Sequence, residues 1–184
     1  MLLADLPTIP FLSVLAVAAA VTLGVIALGG LFILATSRRH GVQPGRNLLA
    51  KLCYVVFIAV VAVLSASSFG SMVQFGHMSG YALLAHIGAS GAFVFLLLAI
   101  AYFYLPRGED SLPDGRWWVA RWSAWGLVVG GIVAAGTMFL SMLPILGTDG
   151  LQGAAEVHRY GGMVAALSAC VHFFALCCVK LGVR

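Results

Sequence analysis

The side chains best placed to do chemistry in this sequence are three histidines inside apolar stretches: His86, His158 and His172. An ionisable ring is expensive in hydrocarbon and marks a function by default. His158 and His172 share the stretch AAEVHRYGGMVAALSACVHFF, Ala154 to Phe174, and stand fourteen residues apart. Fourteen residues at about 3.6 per turn make nearly four turns, so both rings project from almost the same face, with a rise of about 21 Å between them. That is the geometry of a helix that ligates two haems stacked across a membrane. Neutral imidazole is a good ligand for haem iron. A lone histidine in a span can instead hydrogen-bond a carbonyl or serine of a neighbouring helix. Three at this spacing fit one chemistry.

The neighbours agree with that chemistry. One turn from His86 lie Ala82, Ala89 and Ser90; around His158 lie Ala154, Ala155, Gly161 and Gly162; around His172 lie Ala165, Ser168 and Ala169. Small residues let a flat macrocycle lie against a helix, although they also serve ordinary helix packing in membranes. Glu156 and Arg159 bracket His158. Arg159 can pair with haem propionates, which favour a bidentate partner, or with Glu156 or a lipid headgroup at the surface. His40 and His77 fall in polar connections and read as solvated loop residues, with His40 a remote candidate for iron ligation.

The elements that must carry these residues are membrane spans. Of 184 residues, 62% are hydrophobic and 9% charged, with a mean hydropathy of +1.06. A soluble domain carries about a quarter charged residues. Five apolar segments, roughly 9–36, 49–72, 80–105, 119–145 and 155–181, are long enough to span a bilayer, which takes about 20 helical residues. The fold class expected is therefore an all-α membrane domain of five transmembrane helices in a single unit, 1–184: a four-helix bundle of spans two to five plus an extra N-terminal span. MLLADLP lacks a positive n-region, and the apolar run after it is too long for a signal peptide, so Pro10 to Ala35 reads as a true first span.

Nine of the ten Lys and Arg residues (Arg38, Arg39, Arg46, Lys51, Arg107, Arg116, Arg121, Lys180 and Arg184) fall on one side, with Arg159 alone on the other. The positive-inside rule makes that side cytoplasmic and puts the N-terminus outside. The same rule explains the pI of 9.1 without nucleic acid. Trp117, Trp118, Trp122 and Trp125 form an aromatic belt at the inner end of span four. The four cysteines, Cys53, Cys170, Cys177 and Cys178, form no C-x-x-C motif and read as small buried hydrophobes.

Spans three and five both run from outside to inside. His86 lies about six residues into span three and His158 about four into span five, so the two lie at similar depth and can clamp one iron from facing helices. Spans two and three and spans four and five form two similar hairpins, a weak internal repeat. The loops hold no glycine-rich phosphate motif and are too short for a nucleotide, flavin or iron–sulfur cluster. The chain is therefore not expected to oxidise a substrate itself. A transporter is disfavoured, because no paired buried carboxylates or broken helix pair is present.

The stretches MLPILGTDGLQGAAEVHRYGGMVAALSACVHFF and SMVQFGHMSGYALLAHIGASGAF resemble the haem-bearing hairpins of the membrane cytochrome b subunits (gamma subunits) of formate dehydrogenase and nickel–iron hydrogenase. The resemblance covers roughly residues 46–181, with span one as an addition. It implies a four-helix core with two b haems that exchanges electrons with a quinone. Carried over, His86 and His158 would clamp the outer haem, and His172 would be one ligand of the inner haem. The partner of His172 in that family lies near the cytoplasmic start of span two, where this sequence reads GRNLLAKLCYVVF, without histidine. The chain would then hold the outer haem only, or take a sixth ligand from His40, Lys51, Cys53 or another subunit.

The expectation is a b-type cytochrome subunit of a respiratory oxidoreductase in the bacterial inner membrane. It would pass electrons between a redox partner (an iron–sulfur, molybdopterin or multihaem cytochrome protein, docked at the outer loops) and membrane quinone. The alternative is a haem-free membrane anchor or assembly subunit whose histidines only bond between helices.

Overall fold

A computed structural model describes residues 10–36, 48–105 and 118–180. Every regular element among them is helical. There are five membrane-length apolar helices: α1 (Phe11–Thr36), α2 (Leu48–Phe75), α3 (Gly80–Tyr104), α4 (Trp118–Met142) and α5 (Thr148–Lys180). The chain is thus a multi-pass membrane protein, as its composition demands. Backbone groups in hydrocarbon must be satisfied within each span, which leaves the helix as the element available to an apolar 20-mer.

The helix ends follow local chemistry. Gly76 closes α2 in the left-handed region, at φ 72°, where glycine has no Cβ penalty. Leu105, which precedes Pro106, adopts extended backbone and ends α3, as residues before proline do. α4 stops at Met142, just before Pro144. The start of α5 differs from the expectation at 155: the helix begins at Thr148 and carries Asp149 in its first turn. A carboxylate there is favoured by the free N–H groups and the dipole. Polar Thr148, Asp149 and Gln152 hide this stretch from a search for apolar runs, although they do not prevent a helix.

α4 and α5 form the closest pair, antiparallel and nearly in backbone contact. A Cβ added to Gly130 would come within 2.8 Å of the Ala165 nitrogen and 3.0 Å of the Gly161 carbonyl, and one added to Gly126 within 2.6 Å of Ser168 Oγ. Small residues at such crossings let membrane helices gain dispersion contacts where no hydrophobic force separates them from lipid. Gly161, Ala165 and Ser168, candidates for neighbours of a macrocycle, are thus used in helix packing.

α2 packs on α3, α3 on α4 and α2 on α5, closing a four-helix bundle, while α1 leans on α5 from outside. The contacts of α1 include one near each of its ends. Phe11 meets Phe69 and Tyr160 at one end, and the Phe174 ring approaches Gly29 and Gly30 at the other. An apolar groove of about 580 Å³, lined by residues such as Ala16, Phe69 and Ala166, lies between.

The core occupies one half of the bundle. Phe57, Leu97, Ile100, Tyr104, Leu127 and Ala169 are among its members. α3 buries Phe93, Leu97, Ile100 and Tyr104, but nothing before Phe93, and α4 buries nothing beyond Ala134. The cysteines depart from the expectation of burial. All are unpaired; Cys170 is exposed and the others lie at intermediate depth. An apolar site facing lipid keeps a thiol from water as well as a core does. Trp118, Trp122 and Trp125 point outward near the start of α4. His40 and Trp117 lie outside the described residues.

Candidate functional site: a histidine pair between α3 and α5

His86 on α3 and His158 on α5 meet across the bundle, with ring centroids 6.2 Å apart and planes at 78°. Both rings are partly exposed. The expectation that these two come together is met.

Hydrogen bonds fix the tautomer of each ring. His158 Nδ1 lies 2.9 Å from the Ala134 carbonyl oxygen on α4. A carbonyl only accepts, so Nδ1 carries the proton and donates. His86 Nδ1 lies 3.2 Å from Ser67 Oγ. That hydroxyl spends its single proton on backbone, with the Val63 carbonyl at 2.7 Å and that of Leu64 at 3.1 Å. It therefore accepts from His86 Nδ1–H. On both rings Nε2 is left with its lone pair, and its orientation is held through the other nitrogen. Metal-ligating histidines are supported in this way almost without exception.

Ser67 stands where α2 departs from a regular helix. Residues Ala66–Gly70 form a π-helical turn inside it. One residue too many per turn shifts the side-chain register, and such bulges recur at functional sites. Ser67 and the Ala134 carbonyl were missed in the sequence. The run ASSFG inside an apolar span was the available signal for the first, and the second has none, because any residue supplies a carbonyl.

The separation of the two rings is that of two imidazoles sharing one metal ion. An iron between two imidazole nitrogens, with bonds of about 2 Å each and ring centres about 1 Å behind each nitrogen, sets centroids about 6 Å apart. Two imidazoles suffice because the macrocycle supplies the remaining ligands. Among the described residues no three of His, Cys, Asp and Glu gather in one place.

Arg159 donates from Nη1 to Glu156 Oε1 at 3.2 Å, with both side chains largely exposed. Of the two roles open to it, the mutual surface pair is the one observed. His77 lies in the exposed connection, its Nδ1 3.0 Å from the Phe75 carbonyl.

His172 has a different setting. It is 3% exposed. Its Nδ1 lies 3.0 Å from the Ala120 carbonyl on α4 and 3.3 Å from Ser123 Oγ, so Nδ1 again carries the proton. Tyr54 and Tyr104 set their rings against it at 5.8 and 6.2 Å, both edge to face. His158 and His172 are fourteen residues apart, and so are their acceptors Ala134 and Ala120. Both bonds therefore belong to one antiparallel register of α4 on α5, set between them by the close approach of Gly130 and Gly161. Comparison with protein families, with characterised proteins and with solved structures found no match to this chain.

Proposed function

We propose that the protein is a b-type cytochrome subunit of a respiratory oxidoreductase, and that it binds haem b non-covalently through His86 and His158. The observation that carries this reading is the pair itself: two imidazoles from separate helices, 6.2 Å apart, each with Nδ1–H engaged and Nε2 left as a ligand. The likeness of the two hairpins to membrane cytochrome b subunits agrees with it.

The chain's residues have distinct tasks in this reading. His86 and His158 hold the iron from opposite sides. Ser67 and the Ala134 carbonyl stop the rings from turning and raise the basicity of Nε2. The spans exclude water, and the low dielectric favours the less charged state of the site. Arg159, at the edge of the site, offers its remaining guanidinium donors to a propionate. Haem b, when bound, supplies a one-electron iron couple. The partners are a redox protein on one side of the exchange and membrane quinone on the other. The location is the bacterial inner membrane, with the N-terminus outside and the C-terminus cytoplasmic by the positive-inside rule.

A dithionite-reduced spectrum of the purified protein tests this. A b-type alpha band is expected, and it should vanish in His86→Ala and in His158→Ala. Its absence from the wild-type protein would sink the reading. A second reading, a haem-free anchor subunit, is favoured by one observation: the bonds from His158 and His172 to α4 carbonyls share a single helix register. It predicts no alpha band and leaves His86 without a reason to meet His158.

A further inference from the structure

We infer that His172 takes no haem and instead pins α5 to its neighbours, so that the chain carries one haem, on His86 and His158. This rests on the haem reading of that pair.

With Nδ1–H committed to Ala120, Nε2 is the nitrogen that would bind iron, and it is completely buried. The ground around it is taken. Tyr54 and Tyr104 are 7% and 8% exposed, their rings lie 4.9 Å apart, and the Tyr104 hydroxyl donates to the Ala50 carbonyl at 3.0 Å. A macrocycle on His172 would have to expel both rings from the centre of the core.

Nor do the tyrosines serve as the opposite ligand. An iron between a tyrosinate oxygen and an imidazole nitrogen holds the two ring centres about 7–8 Å apart, from two bonds of about 2 Å, the phenol C–O bond of about 1.4 Å and the two ring radii. The observed 5.8 and 6.2 Å leave no room for it. Lys51 and Cys53 do not replace them. The buried face of α2 is Ala50, Tyr54, Phe57 and Val61, which leaves Lys51 exposed and Cys53 at the margin of that face. The position from which a second iron would be ligated on α2 holds Tyr54, a packing residue. With a single haem, electrons enter and leave at the His86–His158 end, so the redox partner and quinone must both reach that end.

Haem-to-chain stoichiometry by pyridine haemochrome, with a redox titration of the full-length protein in detergent, tests this. One haem per chain and a single one-electron wave are expected, and His172→Ala should keep that ratio while lowering the melting temperature. Two haems per chain, or two waves, would overturn the inference and leave the proposed function standing. No haem in the wild-type protein would overturn both. If His172→Ala fails to fold, the wild-type titration alone decides, since one wave supports the inference and two refute it.

Discussion

The two halves of the bundle use histidine in opposite ways. In one half, His172 sits in a closed core among Tyr54, Tyr104 and Ser123 and bonds to its neighbour helix. In the other, His86 and His158 stand in a part of the bundle where α3 buries nothing, beside the buried Ala134 of α4, with ring centroids 6.2 Å apart. All three rings are alike in tautomer, since each gives Nδ1–H to an oxygen. What separates them is burial: His172 is enclosed, whereas His86 and His158 are partly exposed. Under the proposed function, packing, not the histidine or its first hydrogen bond, separates the proposed pin from the proposed ligands.

The comparison can be broken most directly at the open half. Removing either imidazole, in His86→Ala or His158→Ala, should abolish bound haem, read as the alpha band per mole of protein. A variant that kept the band would show that the pair is not the clamp. Ser67→Ala removes the hydroxyl acceptor of His86 and leaves the backbone bond to Leu64, so haem affinity should fall by up to about 10-fold, the low end of the effect of losing a supporting bond to a ligating histidine. Haem titration of the apoprotein measures it, and an unchanged affinity would remove Ser67 from the site.

In the closed half the readout is stability. His172→Ala leaves a cavity and removes the bond to Ala120, for a loss of about 2–4 kcal/mol with haem retained. Thermal unfolding in detergent checks this. Gly130→Ala should cost about 1–3 kcal/mol because the new methyl meets backbone of α5. Gly136→Ala, with open space around it, should be neutral or gain about 0.5–1 kcal/mol from helix propensity. Equal effects at the two glycines would contradict the contrast in packing. The smallest effect is expected at Tyr54→Phe. Its buried hydroxyl finds no hydrogen-bond partner among the described residues, so its removal should leave stability unchanged or raise it by up to about 1 kcal/mol. A marked loss would mean that the hydroxyl has work to do there.

Much of this was legible in the residues. Runs of apolar residues defined five spans to within a few positions, except at the start of α5, where polar residues continue the helix. The equal depth of His86 and His158 was readable because spans three and five run in the same direction and both imidazoles follow a short turn. The π-turn that contains Ser67 was not readable, because a register shift of one residue leaves the hydropathy of a span unchanged. The neighbours of His172 were hidden for another reason. Tyr54 and Tyr104 sit 118 and 68 residues away in the chain, and nothing in either span marks the face that turns inward.

Composition and spacing by themselves determined that this is a helical membrane protein with three imidazoles on two parallel spans. Hydrocarbon permits little else for such runs, and helical periodicity sets which residues share a face. Only the tertiary structure decided which imidazoles keep an open nitrogen. That depends on where the helices splay and where they close. The closure is set by glycines 126, 130 and 161 and by the tyrosines of two other helices, which act at distances no local pattern records.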